Sequence, residues 1–350
     1  MPKTKAYAAH APKAPLAPHS IERRAPKEHD VVIAIKYCGI CHTDIHQVRD
    51  EWDKGTFPMV PGHEITGVVT AVGAKVGKFK AGDKVGIGCF VDSCRVCDHC
   101  RTGFEQYCEN DPSFTYNSRE QDHKTPTYGG YSESIVVDEN YVLCVPDNLP
   151  LDAAAPLLCA GITLYSPLMH WKAGPGRKVA IVGLGGLGHV GVKIAHALGA
   201  EVTVLSHSLS KEADAKRLGA DHFHATSDPG TFKTLKGSFD LIICTVGTGI
   251  DWNQYLGLLR MEATMVIVGL PPEKVPLAAG KLIEWRRNLA GSMIGGIKET
   301  QEMLDFCGKH GIVSDIELIP IQKVNQAYER VVKSDVRYRF VIDLASLEKA

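Results

Sequence analysis

Four thiols fall within fifteen residues as Cys94-x2-Cys97-x2-Cys100-x7-Cys108, in a loop that contains Gly103 and little apolar content of its own. Four thiolates at about 2.3 Å complete a zinc tetrahedron and leave no open position, so this spacing predicts a structural metal site. The competing readings are a pair of disulfides, a CxxC redox pair or an iron–sulfur cluster, which metal analysis separates. Further candidates are scattered along the chain: Cys38-Gly39-Ile40-Cys41-His42-Thr43-Asp44, Gly62-His63-Glu64 and Leu157-Leu158-Cys159-Ala160-Gly161. Taken singly, each is equally a small buried thiol or a hydrogen-bonded histidine.

A second kind of chemistry is written in Gly183-Leu184-Gly185-Gly186-Leu187-Gly188, which satisfies G-x-G-x-x-G between an apolar run and a helical pattern. The glycines allow a tight turn, close backbone approach to a pyrophosphate and close helix–strand packing, while the helix N-terminus offers N–H groups and a positive dipole end. The pattern predicts a dinucleotide site. An NAD site places an acid about 20 residues on, at the ribose hydroxyls. This chain instead reads Val204-Leu205-Ser206-His207-Ser208-Leu209-Ser210-Lys211. Hydroxyls with a lysine beside them suit a 2′-phosphate, which a carboxylate would repel, so the cofactor expected is NADP(H). The alternative for this segment is a solvated Ser-rich turn before a helix. Hydride chemistry on an alcohol or carbonyl benefits from a Lewis acid at the oxygen, and that gives the scattered Cys and His residues more weight.

The elements that must position these groups are legible in the hydrophobic pattern. In the first 150 residues, short runs such as Val31–Ile35 and Ile65–Thr70 alternate with Gly, Pro and Asp, which predicts a mostly β half. From Lys178 the runs Val179–Val182, Val202–Leu205, Leu241–Cys244, Met265–Val268 and Leu289–Ile294 alternate with helix-like stretches, and His222–Ala225 is a weaker strand. That alternation predicts βαβ crossovers and a parallel sheet buried on both faces. Gly199 and Gly219 end two of the helices. The tail predicts a helix over Glu299–His310 and a last strand over Arg339–Asp343, returning to the first domain. The joint near Leu151–Trp171 is apolar and helical, so the domains are expected to hinge rather than tumble.

Composition bounds the partners. The chain has 350 residues, 39 Lys plus Arg against 40 Asp plus Glu, 44% hydrophobic residues and 11 cysteines. Its length favours two domains with real cores. Its near-zero charge gives no field for nucleic acid or an acidic membrane, and points to a small molecule. The start, Met1-Pro2-Lys3-Thr4-Lys5, lacks the apolar core of a secretion signal. The most apolar stretch, Val179–Ala200, carries six glycines with His189, Lys193 and His196, and is read as soluble. Cysteines at ligand spacing indicate a reducing, cytoplasmic setting.

Cys41-His42-Thr43-Asp44-Ile45-His46, Pro61-Gly62-His63-Glu64, the four-Cys loop, Cys159-Ala160-Gly161-Ile162-Thr163 and the Gly-rich turn together resemble zinc-dependent medium-chain alcohol dehydrogenases, in order and across essentially the whole chain. Thr115-Tyr116-Asn117, Gly129-Gly130-Tyr131, Gly291-Ser292-Met293-Ile294-Gly295 and the tail from Val336 to Asp343 resemble the NADP-dependent cinnamyl alcohol dehydrogenase branch. The resemblance implies an α/β plus β protein: a GroES-like β-barrel catalytic domain over 1–152 and 297–350, with a Rossmann domain, a doubly wound parallel sheet, inserted over 153–296.

The resemblance also implies roles. Cys41, His63 and Cys159 would hold a catalytic zinc, with Glu64 an occasional or outlying ligand, and Cys94, Cys97, Cys100 and Cys108 a structural one, giving two zinc ions per chain. Asp44 would orient His63, and Thr43 and His46 would form a proton relay. Thr163, Ser292 and Arg339 would join Gly183, Gly185, Gly186, Leu187, Gly188, Ser206, His207, Ser208 and Lys211 at the cofactor. Trp52, Phe114 and Tyr116 would form an apolar substrate wall with Met293 and Ile294 opposite, whereas Cys38 matches no ligand position and is expected to pack. The activity implied is alcohol–aldehyde interconversion, favouring aldehyde reduction, by a homodimer. The rivals are an NAD-dependent polyol dehydrogenase, which the missing acid after Leu205 disfavours, and a non-catalytic scaffold, which has no need of an open metal site.

Overall fold

The structure, a computed structural model, describes residues 3–271 and 273–349. Met1 and Pro2, part of the segment read for an export signal, and Ala350 lie outside the described residues. The chain divides into two compact units, Met1–Cys159 with Gly295–Ala350, and Ala160–Ile294. The expected divide at 152/153 falls in the short helix Leu151–Ala154, and the units part after the next one, Ala155–Leu158, between Cys159 and Ala160. Among the described residues no single helix is long and apolar enough to cross a membrane.

In the second unit the strands stand in the order His222–Ala225, Glu201–Ser206, Lys178–Val182, Phe239–Cys244, Leu259–Ile267 and Asn288–Gly291, every neighbouring pair parallel. The apolar runs make this sheet because helices cover both faces; Phe239–Cys244 is buried along its whole length. Even Asp240 is buried there, with Arg177, Arg260 and the Lys178 N–H as partners. The strand order reverses direction beside Lys178–Val182, and in such sheets ligands bind at the carboxyl ends of the strands at that point. The Gly-rich turn sits at that strand end and leads into the helix Gly188–Ala197. The last expected strand is shorter than its apolar pattern: it stops at Gly291, and Ile294 already has φ +40°.

In the first unit the strand Asp30–Gly39 is the spine. It pairs antiparallel with Ile65–Val72, with Ser134–Asp138 and with the tail strand Arg339–Asp343, which runs parallel to Ile316–Pro320. The helix Ile297–His310 ends at Gly311 in the left-handed conformation, as a Gly C-cap should. The helix His42–Val48 has no counterpart in the β reading of this half.

Gly188 has a stringent packing requirement, since a Cβ there would lie 2.0 Å from the Gly183 carbonyl oxygen, whereas one on Gly185 would meet nothing within 4 Å. Gly188→Ala is therefore expected to lose roughly 1–3 kcal/mol of stability in urea unfolding. Gly185→Ala should leave the midpoint unchanged and weaken dinucleotide binding instead.

Candidate active site and metal centres

The scattered candidates of the first unit come together. Ligand atoms of Cys41, His63, Glu64 and Cys159 lie within 4.8 Å of one another, and all four residues are buried. Cys41 precedes the helix His42–Val48, and the Asp44 carboxylate accepts from its N–H at 2.8 Å, a capping contact worth about 1 kcal/mol. The same carboxylate accepts from the Gly62 N–H at 3.2 Å and faces His63 Nδ1 at 3.2 Å. With Nδ1 so engaged, Nε2 is the nitrogen left to ligate. Cys159 follows the turn Ala155–Leu158, with its Sγ 3.9 Å from that of Cys41.

The electrostatics call for a cation. A hydrogen bond from the Cys159 thiol pulls Cys41 well below the usual thiol range against the effect of burial, and the same contact pushes Cys159 well above it. Two sulfurs this close cannot both ionise in a buried site unless a positive ion lies between them. Around a tetrahedral ion with bonds of about 2.3 Å, sulfurs sit roughly 3.8 Å apart, so the donor set fits zinc. Burial works against protonation of His63, but Asp44 and Cys89 pull it well above its ordinary value.

Glu64 stands apart from the other three. Burial pushes its carboxyl up to about 8, with Arg339 pulling the other way. Its Oε1 pairs with the Arg339 guanidinium, and its Oε2, like Arg339 Nε, is buried without a protein partner. Oε2 lies where a Cβ on Gly39 would be, 1.9 Å away, so only glycine fits there. Breaking such a buried pair costs roughly 3–5 kcal/mol. Arg339, expected at the cofactor, is 4% exposed and pairs with Glu64.

On the helix His42–Val48, Thr43 and His46 are partly exposed. His46 Nδ1 pairs with the Glu51 carboxylate and its ring stacks on Trp52 at 5.2 Å. Tyr116 is buried and stacked on His63 at 5.8 Å, whereas Phe114 is exposed. Cys38 packs against Gly62 and Gly130, as expected. Cys89, which no motif marked, adjoins Cys159, and that contact pulls its thiol down against burial.

The four-Cys loop forms the other cluster. Its four sulfurs lie within 4.8 Å of one another, with Cys94–Cys100 at 3.9 Å and Cys97–Cys100 at 3.4 Å. All eleven cysteines are free, which removes the disulfide reading. Cys100 rides on the one-turn helix Asp98–Arg101, and Ser93 bridges its sulfur, at 3.1 Å, to Tyr141.

In the second unit Gly183, with φ +92°, leaves the strand, and buried His189 sets its Nδ1 3.1 Å from the Gly185 carbonyl. Gly186 and Leu187 are partly exposed before the helix starts at Gly188. Ser206 closes the next strand, His207 and Ser208 are exposed beyond it, and Lys211 reaches back to donate to the Leu184 carbonyl at 2.8 Å. The lysine therefore lies against the Gly-rich turn. Thr163 is buried in the helix Ala160–His170, while Ser292 and Met293 follow the last strand.

Two family models match the chain: the alcohol dehydrogenase GroES-like domain over residues 27–147 and the zinc-binding dehydrogenase family over 186–309. The chain belongs to the zinc-binding alcohol dehydrogenase family. A relative of this dehydrogenase, NADP-dependent alcohol dehydrogenase C 1 of Mycolicibacterium smegmatis, is 60% identical over 348 residues, covering 99% of each chain. A cinnamyl alcohol dehydrogenase of Sorghum bicolor superposes with a TM-score of 0.95 at 46% identity, covering 98% of both chains. The CAD of Helicobacter pylori, complexed with NADP(H), gives 0.92 at 44%, again covering 98% of both. The expected GroES-like and Rossmann architecture is confirmed by these matches.

What sequence reading missed in the dehydrogenase are Glu51, Cys89 and His189, none of which stands in a motif. The four-Cys loop has little core, so its order should depend on metal: Cys100→Ser is expected to lose one zinc per chain by elemental analysis and to be cut faster by protease near residue 100, while the Cys41 centre keeps its ion.

Proposed function

We propose that this dehydrogenase interconverts primary alcohols and aldehydes of aromatic or medium-chain type with NADP(H), working mainly as an aldehyde reductase where NADPH is abundant. The observation that carries the reading is the contrast between its two thiol clusters. Cys94, Cys97, Cys100 and Cys108 bring four sulfurs within 4.8 Å of one another and would fill all four positions around a zinc ion, as in a structural site. Cys41, His63 and Cys159 offer three donors, and the fourth group, Glu64, is drawn toward Arg339. That leaves a position for a substrate oxygen.

When bound, zinc supplies Lewis acidity at that oxygen and the nicotinamide supplies or accepts the hydride. The residues of the chain handle the rest. Asp44 holds the His63 ring in one orientation. Oxidising an alcohol removes a hydride from carbon and a proton from oxygen; the Thr43 hydroxyl takes that proton and hands it to His46, and reduction runs the path backward. His46 Nδ1 pairs with the Glu51 carboxylate, and the partial exposure of His46 lets the proton reach water. Trp52 and Phe114 are read as contacts for an apolar substrate, together with Tyr116, whose ring stacks on His63. Met293 and Ile294 are read as further substrate contacts.

For the cofactor, Ser206, Ser208 and Lys211 take the 2′-phosphate; the Lys211 contact with the Gly-rich turn supports this, as does the lack of an acid at that strand end. Thr163 and Ser292 are read as further contacts. A homodimer is supported by the edge strand Asn288–Gly291 and the exposed Leu270, Leu277, Ile283 and Trp285 of the same unit. Free thiols support a cytoplasmic setting.

A panel of aldehydes followed by nicotinamide absorbance tests the reading. Reduction with NADPH, abolished by a chelator, is expected, and a preference for NADH would overturn the cofactor assignment. Lys211→Ala should raise KM for NADPH and leave that for NADH unchanged. Thr43→Ala should lower kcat by roughly 10²–10⁴-fold with zinc content intact; unchanged kcat would remove Thr43 from the proton path.

A further inference from the structure

Gly129-Gly130-Tyr131 has no part in the chemistry above, yet its contacts lead to the zinc-binding imidazole. The main chain comes first. Gly130 N–H donates to the Gly62 carbonyl at 2.9 Å and Tyr131 N–H to that of Pro61 at 3.0 Å, so the segment lies against the loop that carries His63. Glycine is required for this approach, because a Cβ at Gly129 would lie 2.3 Å from the Pro61 oxygen. From the other side Arg23 clamps the segment, donating to the Tyr128, Gly129 and Ser134 carbonyls and to Ser132 Oγ at 2.6–3.0 Å.

The Tyr131 side chain is 0% exposed. Its hydroxyl lies 3.4 Å from Asp44 Oδ2 and 3.3 Å from the hydroxyl of Tyr328, itself buried on the helix Val324–Val332. Phenylalanine would fill the same space, and a buried hydroxyl is costly unless something uses it. Here Asp44 uses it. Oδ2 takes the Cys41 N–H and faces the tyrosine, while Oδ1 takes the Gly62 N–H and faces His63 Nδ1. A carboxylate held at both oxygens cannot rotate.

We propose that Tyr131, backed by Tyr328, is a positioning residue for the catalytic metal: its hydroxyl fixes the Asp44 carboxylate and thereby the ring plane of His63. The inference rests on the reading of Cys41, His63 and Cys159 as the zinc site. Tyr328 donates to Tyr131 and so polarises the hydroxyl that donates to Asp44, which makes the two tyrosines act in series. Both O···O distances are long for hydroxyl bonds, which places the effect at the low end of what outlying partners contribute to metal binding.

The test uses zinc-loaded enzyme challenged with a chelator, and cobalt-substituted enzyme for its visible absorption. Tyr131→Phe should release zinc from the Cys41 centre roughly threefold to tenfold faster and shift the cobalt bands. Tyr328→Phe should do the same to a smaller extent, and should add nothing in the Tyr131→Phe background. Wild-type release rates and an unchanged cobalt spectrum in Tyr131→Phe would overturn the inference, as would a Tyr328→Phe effect that persists in full without the Tyr131 hydroxyl. Should Tyr131→Phe fail to fold, Tyr328→Phe alone decides by the same two readouts. Unaltered enzyme that holds no metal at the Cys41 centre overturns the zinc reading and the inference together; metal-loaded enzyme with indifferent variants overturns the inference alone.

Discussion

One carboxylate gathers the first unit's chemistry. Asp44 touches the residue just before its own helix, the loop that presents His63, the His63 ring and a buried tyrosine. Cys41 and His63 are 22 positions apart in sequence and sit on different elements, so nothing local makes them converge. Asp44 supplies the convergence: it satisfies a helix-start N–H and a loop N–H that burial would otherwise leave unpaired, and the imidazole is oriented by the same act.

Around that node the protein solves the problem of holding like charges in two ways. In the four-Cys loop Cys94, Cys97 and Cys100 are half-buried and Cys108 is buried, and backbone N–H groups support the sulfurs, with Cys94 N–H on Cys108 Sγ and Cys97 N–H on Cys94 Sγ, both at 3.4 Å. At Cys41 and Cys159 the sulfurs are buried, and neighbouring charge comes from the guanidinium of Arg339 rather than from N–H groups. The first arrangement is self-contained. The second leaves an imbalance that a dication and a substrate oxygen can complete, and the low polarity around it strengthens whatever charge develops there.

Much of this was legible in the residues. The strands Lys178–Val182, Glu201–Ser206 and Phe239–Cys244, the Gly-rich turn and the tail strand Arg339–Asp343 stand where the apolar pattern put them, because a sheet buried on both faces leaves continuous apolar runs. The helix His42–Val48 escaped notice since Cys41 is not an ordinary N-cap residue, although Asp44 three places on is half of a capping signature. The Leu289–Ile294 run overshot its strand because apolar content does not reveal a left-handed residue such as Ile294. The motifs marked Glu64 and Arg339 separately; that they neutralise each other, across 275 positions, is a tertiary fact with no local trace.

The strand that brings Arg339 to Glu64 is threaded through the order of synthesis. It pairs with Asp30–Gly39, with Val341 opposite Gly39, so the first unit is interrupted by the whole of Ala160–Ile294 before its sheet can be finished. While a ribosome is still making the second unit, the nascent Glu64 has no countercharge and the spine strand has a bare edge. Metal delivered at that moment meets thiols without their guanidinium, and a chaperone covering that edge would protect the chain until the strand Arg339–Asp343 has been made.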